Sequence, residues 1–140
     1  MKLTTRIISY VGLLLLLVAC QNQSKEEMVR EGEQLSNTGN PLGAIVYFRN
    51  ALEKDPNYTE ARYQLGLAYL KTGKLDQAEK ELRKVQLLDP GKLDVLLDLA
   101  AIALVNKEYD KAEENINSFI DAKEKNSRSQ QYLGAIRQAE

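Results

Sequence analysis

The sequence predicts an all-α fold, built as a solenoid of helix pairs. Three observations support this prediction: residues recur at an interval of 34, apolar residues follow a helical spacing, and glycine, alanine and proline recur in one register. The coinciding residues are Gly32 with Gly66, Gly39 with Gly73, Ala44 with Ala78 and Ala112, Arg49 with Arg83, and Asp55-Pro56 with Asp89-Pro90. A unit of this size cannot bury its apolar face alone, so neighbouring units stack. We therefore expect three repeats, at 25–58, 59–92 and 93–126, followed by a C-terminal helix at 127–140.

A basic and then apolar stretch opens the chain. Lys2 and Arg6 accompany an apolar run at residues 7–19. This run is shorter than the roughly 20 residues that a helix needs to cross a bilayer core, and it suits the h-region of a signal peptide. It ends at Leu17-Val18-Ala19-Cys20, which resembles the lipobox of bacterial lipoproteins. The alternative is an uncleaved N-terminal anchor that carries a free thiol.

The lipoprotein resemblance gives Cys20 a defined role. It implies that residues 1–19 are removed, that the Cys20 sulfur receives a diacylglycerol, and that in many species the new amine is acylated as well. A single acyl chain binds a membrane reversibly, whereas two or more chains anchor a protein there stably. Residues 20–24 then form the lipidated cysteine and a tether, of which Gln21 to Ser24 span about 15 Å when extended. An aspartate in place of Gln21 would retain an enterobacterial lipoprotein in the inner membrane, so the outer membrane, facing the periplasm, is favoured in a two-membrane cell.

The second repeat carries the residues that identify the repeat type. Its Leu65-Gly66, Tyr69, Gly73, Ala78, Leu82 and Asp89-Pro90 stand in the order and spacing typical of a tetratricopeptide (TPR) repeat, which they resemble. Gly66 and Ala78 are small where the two helices of a pair cross. Gly73 allows the turn between them, and Pro90 ends the second helix. The resemblance implies a right-handed superhelix.

The other repeats depart from this pattern at a few places. In repeat one, Asn40-Pro41 predicts an N-cap followed by proline at the first helical position. In repeat three, Phe119 replaces a small residue and Glu124 stands in place of proline. The second helix of this repeat is therefore expected to run on or splay. The segment 127–140 carries Tyr132, Leu133 and Ile136 on one side. It is either a capping helix or the first helix of a truncated fourth repeat.

The resemblance also implies a peptide-binding groove lined by the first helix of each pair. Its contact positions hold Val29, Glu33, Tyr63, Leu67, Leu70, Lys71, Leu97, Ala101 and Leu104. Most are apolar, with an acidic margin from Glu33, Glu60, Asp94 and Asp98. The positions of a carboxylate clamp hold Val29, Glu33, Gln64, Asp94 and Asp98, so capture of a chaperone tail is not expected. The alternative is that the groove leucines belong to the core or are covered by residues 127–140.

Composition excludes several classes of function. The chain has no histidine, no tryptophan and a single cysteine, which removes the usual zinc sites, Ser-His-Asp and Cys-His arrangements, and any intramolecular disulfide. Loss of Lys2 and Arg6 with the leader would leave 17 basic against 20 acidic residues. We therefore expect no enzyme activity, no metal, no cofactor apart from the covalent lipid on Cys20, and no nucleic-acid partner.

Short sequence words extend the resemblance to particular TPR lipoproteins. Asn50-Ala51-Leu52, Glu60-Ala61-Arg62, Leu65-Gly66 and residues 79–84 are similar to the N-terminal part of those that accompany exosortase and PEP-CTERM sorting, and to others that assist type IV pilus biogenesis. This implies a lipid-anchored scaffold that binds protein or peptide partners in the bacterial cell envelope. Two alternatives stay open: an accessory subunit of cell-wall or polysaccharide enzymes, and a fragment of a longer protein whose activity lies beyond residue 140.

Overall fold

The computed structural model describes residues 23–123 and 127–139. Within these residues the chain forms seven α-helices and no strand, which confirms the predicted all-α solenoid. The helices are α1 (Lys25–Asn37), α2 (Pro41–Lys54), α3 (Thr59–Lys71), α4 (Leu75–Leu88), α5 (Asp94–Val105), α6 (Tyr109–Lys123) and α7 (Ser127–Ala139). The leader, Cys20, the first residues of the tether and Glu124 lie outside the described residues. Inside them, no helix combines the length and apolarity that crossing a membrane requires.

The helices pack in the order of the chain. The pairs α1 with α2, α3 with α4 and α5 with α6 make the most extensive contacts, and each falls within one 34-residue interval. The second helix of each pair also packs on the first helix of the next, and α7 packs on both α5 and α6. Contacts between nearest neighbours in sequence therefore build most of the stack, and first helices of successive units add contacts between α1 and α3 and between α5 and α7.

Small residues let the helices of each pair approach closely. A Cβ added to Gly32 would lie 2.4 Å from Cε1 of Phe48, and one added to Gly66 would lie 2.9 Å from Cδ2 of Leu82. The predicted role of Gly66 at the helix crossing is confirmed. In the third pair the same positions hold Ala100 and Ile116, and both are fully buried.

The turns between the paired helices share one geometry. Gly39 and Gly73 have φ of 84° and 71°, and Lys107, two intervals after Gly39, has φ of 61°. After each of these residues, a backbone N–H donates to a carbonyl five residues earlier: Asn40 to Leu35, Lys74 to Tyr69 and Glu108 to Ala103, at 2.8 to 2.9 Å. This is the hydrogen bond of a Schellman motif, which places one residue in the left-handed region. Lys107 holds that conformation with a Cβ, which costs free energy.

Helix boundaries follow the sequence signals. Asn40 Oδ1 accepts a hydrogen bond from the Gly43 N–H at 3.0 Å, and Pro41 occupies the first turn of α2, as predicted. Helices α2 and α4 end immediately before Asp55 and Asp89, the residues that precede the two repeated prolines. A capping box joins Ser24 and Glu27 at the start of α1.

The core consists of one large cluster and two smaller ones. The large cluster joins α1 to α4 with Val95, Leu99 and Ile102 of α5. A second joins α5, α6 and α7 around Ala100, Ile116 and Ile136. Phe119, where a small residue was expected, is 1% exposed and packs with Leu96 and Leu97 in the third. Helix α5 is apolar on nearly every side, so it links the two ends of the stack.

Candidate peptide-binding face

The first helix of each pair carries the residues for which a groove was predicted. The structure places seven of the nine predicted residues at half-buried or exposed positions, and these seven define the helix A face: Glu33, Tyr63, Leu67, Leu70, Lys71, Ala101 and Leu104. Val29 and Leu97 are instead core residues, 5% and 1% exposed. Val29 packs in the large cluster and Leu97 packs against Phe119, so neither lines an open surface.

The leucines of the helix A face are shared between surface and core. Leu70 is half-buried and packs against the large cluster, and Leu104 does the same at the second cluster. Leu67 is half-buried on α3 and Ala101 is half-buried on α5. Substituting Leu70 or Leu104 would therefore disturb folding as well as any partner contact, whereas Leu67 is the better probe of the surface.

Polar contacts join neighbouring helices along this face. Lys71 of α3 is exposed, and its Nζ donates to Oγ of Ser36 of α1 at 2.7 Å. Tyr63 Oη of α3 donates to Oδ2 of Asp98 of α5 at 3.1 Å. The face is thus built from helices 34 residues apart in the chain, as expected of a stacked repeat.

Two of the four carboxylates in the expected acidic margin are held in ion pairs. Asp98 is only 3% exposed, and its Oδ1 accepts a hydrogen bond from Nη2 of Arg128 at 2.5 Å. Glu60 accepts from Lys92 Nζ and from Gln64 Nε2, both at 2.9 Å. Asp98 and Glu60 of the predicted acidic margin are therefore charge-paired. The reason is that cations from the next turn of the solenoid reach both carboxylates.

The environment of these groups shifts their proton affinity. Burial, the charge of Asp98 and the hydrogen bond to it all raise the pKa of Tyr63, so the phenol remains a donor. Burial alone would lower the pKa of Arg128, but hydrogen bonds with Asp98 and Tyr132 outweigh it and raise that pKa. Burial acts to raise the pKa of Glu60, but the hydrogen bonds from Lys92 and Gln64 prevail and lower it.

These contacts connect into one path, called here the polar chain. Lys92 Nζ, paired with Glu60, lies 4.3 Å from the centroid of the Tyr63 ring. Arg128, paired with Asp98, donates from Nε to Tyr132 Oη at 3.2 Å. The polar chain comprises Glu60, Lys92, Tyr63, Asp98, Arg128 and Tyr132, and it runs from α3 through α5 to α7. The sequence analysis did not predict the polar chain. The spacing of Tyr63 and Asp98, close to 34, did place them on the first helices of successive repeats.

Another concavity is lined by residues of α2, α3 and α4. It has a volume of about 390 Å³ and is lined by Arg49, Leu52, Glu53, Pro56, Arg62, Leu65, Tyr69, Gln77 and Glu81. Arg62 forms its floor, 9% exposed, with Nη1 at 2.5 Å from Glu81 Oε2 and Nη2 donating to the Pro56 carbonyl. Both charges of this buried pair are matched, so the pair serves to fix α3 against α4.

The side chains of these two surfaces are mostly paired with one another. Among the residues that the structure describes, no three histidine, cysteine, aspartate or glutamate side chains gather where they could hold a metal ion. The titratable groups of the polar chain are committed to one another. The face offers shape and hydrogen bonds, which suits binding.

The comparisons with known proteins agree with this architecture. A family model described as tetratricopeptide repeat matches residues 38–91, which cover the turn after α1 and the helices α2 to α4. The chain folds as a tetratricopeptide-repeat solenoid. TPR modules are in general sites of protein interaction without catalysis of their own.

Two solved structures share this fold, and one further protein is similar in sequence. The crystal structure of MamA is 25% identical with a TM-score of 0.80, covering 89% of this chain and 72% of that one. The first TPR of Spaghetti (RPAP3), bound to the HSP90 peptide SRMEEVD, is 17% identical with a TM-score of 0.79, covering 84% and 93%. BBSome complex member bbs-4 of Caenorhabditis elegans is 28% identical over 81 residues, which are 58% of this chain and 18% of that protein.

Proposed function

We propose that this protein is a lipid-anchored, non-enzymatic scaffold that binds protein or peptide partners on the helix A face, at the surface of a bacterial envelope membrane. The observation that carries the proposal is the half-buried apolar stripe of Leu67, Ala101 and Leu104 on a TPR solenoid. A surface of this kind accepts the apolar side of a helix or an extended peptide. The TPR fold gives it a rigid frame.

The membrane setting rests on the N-terminal sequence. Leu17-Val18-Ala19-Cys20 has the features of a lipobox, and α1 begins at Lys25, five residues after the cysteine. A diacylglycerol and an N-acyl chain on Cys20 would hold the first repeat within about 15 Å of the head groups. Gln21 favours the outer membrane, facing the periplasm, where two membranes exist.

The chemistry of the helix A face limits the partner. The peptide bound to Spaghetti, SRMEEVD, ends in three acidic or carboxylate-bearing positions among its last four. Here Glu33 and Asp94 add negative charge, and Lys71, which is exposed, donates to Ser36. An acidic tail would meet repulsion, whereas an apolar peptide with basic residues would not. The short words shared with PEP-CTERM and pilus lipoproteins favour a partner from export or secretion machinery.

A membrane pull-down with crosslinking tests the scaffold. Tagged protein from the native host is compared with Cys20→Ala, which removes the lipid, and with Leu67→Ser, which alters the face. Val46→Ser is the matched control, because Val46 is an apolar residue on α2 that is 55% exposed. We expect an envelope complex with the wild type and the control, and its loss with Cys20→Ala and Leu67→Ser.

The same experiment separates the alternatives. Capture of a cell-wall or polysaccharide enzyme would assign an accessory role to the same surface. Equal capture by the wild type and Leu67→Ser would move the binding site off the helix A face. Loss of capture with Leu67→Ser counts only if its melting temperature matches that of Val46→Ser.

A further inference from the structure

Asp98 is a carboxylate in an unusual position. It stands in α5 between Leu97 and Leu99, both nearly fully buried, and its own side chain is 4% exposed. An ionised carboxylate withdrawn from water needs a cation and hydrogen-bond donors around it. The surroundings of Asp98 therefore describe the kind of group that it holds.

Two donors on different helices satisfy Asp98. Tyr63 Oη of α3 donates to Oδ2 at 3.1 Å, and Nη2 of Arg128 of α7 donates to Oδ1 at 2.5 Å. The ring of Tyr63 is half-buried and packs against the large cluster, which holds the tyrosine in place. Asp94 contributes a second negative charge near Tyr63. The buried carboxylate of Asp98 requires a cation, and Arg128 supplies it in the free protein.

The group that occupies this site is a guanidinium. Arg128 reaches Asp98 with Nη2 while its Nε donates to Tyr132 Oη at 3.2 Å, and its Cζ lies 5.6 Å from the centroid of the Tyr132 ring. One planar group thus makes a charged hydrogen bond, a second hydrogen bond and a cation–π contact. An ammonium is a compact charge and does not span two acceptors in this way.

The guanidinium of Arg128 approaches Asp98 from the side that faces solvent. The side chain of Arg128 is 41% exposed, while that of Asp98 is 4% exposed. Helix α7 is anchored to the second cluster by Ile136, two turns further on, and by half-buried Tyr132 and Leu133. The Arg128 side chain therefore borders solvent, and α7 has apolar anchors that do not depend on it.

We propose that Tyr63, Asp98 and Tyr132 form a receptor for a guanidinium group, that Arg128 fills this receptor in the free protein, and that an arginine side chain of a bound peptide takes its place. This inference rests on the proposed peptide-binding function and names the partner: a peptide that presents arginine beside apolar residues. Arg128 then competes with the partner and sets how tightly it binds.

The receptor is tested first with N-acetyl-arginine amide, using N-acetyl-citrulline amide as the neutral control. The full chain in detergent is compared as wild type, Arg128→Ala, Arg128→Ala with Asp98→Asn, and Arg137→Ala. Arg137 is the matched control, because it is an exposed arginine on the same helix. Arg128→Met is run in parallel, since it keeps the aliphatic stem and protects the test against poor folding of the alanine variant.

We expect the arginine amide to raise the melting temperature of Arg128→Ala and Arg128→Met, and the citrulline amide to have no effect. The wild type and Arg137→Ala should respond little, because Arg128 already fills the site. An equal response with Asp98→Asn added, or no response in either Arg128 variant, would overturn the proposal.

Exchange is tested with the peptide Leu-Ala-Arg-Ala-Leu and its citrulline counterpart, by fluorescence anisotropy. Removing an internal competitor that occupies the site about 90% of the time tightens binding about tenfold. We therefore expect Arg128→Ala to bind the arginine peptide about tenfold more tightly than the wild type does. Equal affinity in the two chains, or equal affinity for the two peptides, would contradict exchange.

The two proposals fail in different ways. If the pull-down captures a complex whose amount is unchanged by Asp98→Asn and Arg128→Ala, the scaffold proposal is supported. The proposal that the partner binds at the guanidinium receptor is then wrong. If no complex is captured but the arginine amide stabilises Arg128→Ala through Asp98, the receptor stands and the scaffold is in error.

Discussion

Individual backbone positions decide the turns of this solenoid. The three turns between paired helices have the same hydrogen bonds, yet two hold glycine and the third holds Lys107. A side chain in the left-handed region brings its Cβ against the following carbonyl, which costs roughly 1–2 kcal/mol. The third repeat therefore carries strain that the first two avoid.

Replacement of Lys107 by glycine should stabilise the protein. Relief of the left-handed strain exceeds the extra entropy that glycine loses on folding, so we expect the free energy of unfolding to rise by up to about 1 kcal/mol. Urea denaturation followed by circular dichroism measures it. The matched change Gly73→Ala, at the same turn position, should lower that free energy by about 1 kcal/mol. Opposite signs for the two changes are the required result.

The glycines of the helix crossings make a second prediction at residue scale. In Gly32→Ala the new methyl would lie 2.4 Å from the ring of Phe48, which is fully buried and has little room to move. We expect a loss of about 1–3 kcal/mol from overpacking. Gly134 occupies the equivalent position of α7, where nothing lies within 4 Å of an added Cβ. Gly134→Ala should therefore stabilise α7 by up to about 1 kcal/mol through helix propensity. Similar losses from both changes in thermal denaturation would show that packing at Gly32 is not the cause.

At the scale of elements, polar bridges join neighbouring parts of the solenoid at two places. Lys25, at the start of α1, pairs with Asp55 just after α2 at 2.5 Å, and Lys92, just before α5, pairs with Glu60 of α3 at 2.9 Å. Both lysines also lie over tyrosine rings, Tyr58 and Tyr63. These bridges fix where a helix starts relative to its neighbours, which apolar packing alone specifies less sharply.

The Glu60 bridge predicts a loss of stability in acid. The pKa of Glu60 is lower in the folded chain than its ordinary value, so the folded state favours the ionised form. Its contribution is therefore present at neutral pH and is lost as pH falls through the ordinary glutamate range, about 4, towards the folded pKa. In urea melts at pH 7 and pH 3, we expect Glu60→Gln to be less stable than the wild type at pH 7 and equal to it at pH 3. Lys92→Met should reduce the same dependence of stability on pH. If the difference in free energy of unfolding between Glu60→Gln and the wild type is the same at pH 7 and pH 3, the bridge is not the source of that dependence.

Across the whole molecule, the 34-residue repeat made the fold predictable. The candidate site was not predictable, because it depends on residues that do not follow the repeat. The structure has the helices, turns and helix ends that the sequence predicts. These predictions come from the interval of 34 and from Gly66, Gly73, Asn40-Pro41 and Pro90. The pairing of Asp98 with Arg128 depends on α7, whose place in the stack the sequence left open. Val29 and Leu97 carry the apolar character expected of a groove, but apolar character does not distinguish a groove from a core. What remained hidden was which side chains of adjacent repeats meet.

The arrangement of the clusters also predicts how the molecule opens. Helix α7 meets the rest of the chain through the second cluster, in which Ile136 is its buried apolar residue, while α1 and α2 belong to the large cluster. In a stack of nearest-neighbour contacts, a weakened terminal helix loosens its neighbours first. Ile136→Ala, which removes a buried side chain worth about 2–5 kcal/mol, should speed hydrogen exchange strongly in α7 and partly in α6. The amides of α2 should keep their wild-type protection, and Ala139→Gly at the exposed end of α7 serves as the control. Faster exchange spread evenly from α2 to α7 would show instead that α5 couples the clusters into one cooperative unit.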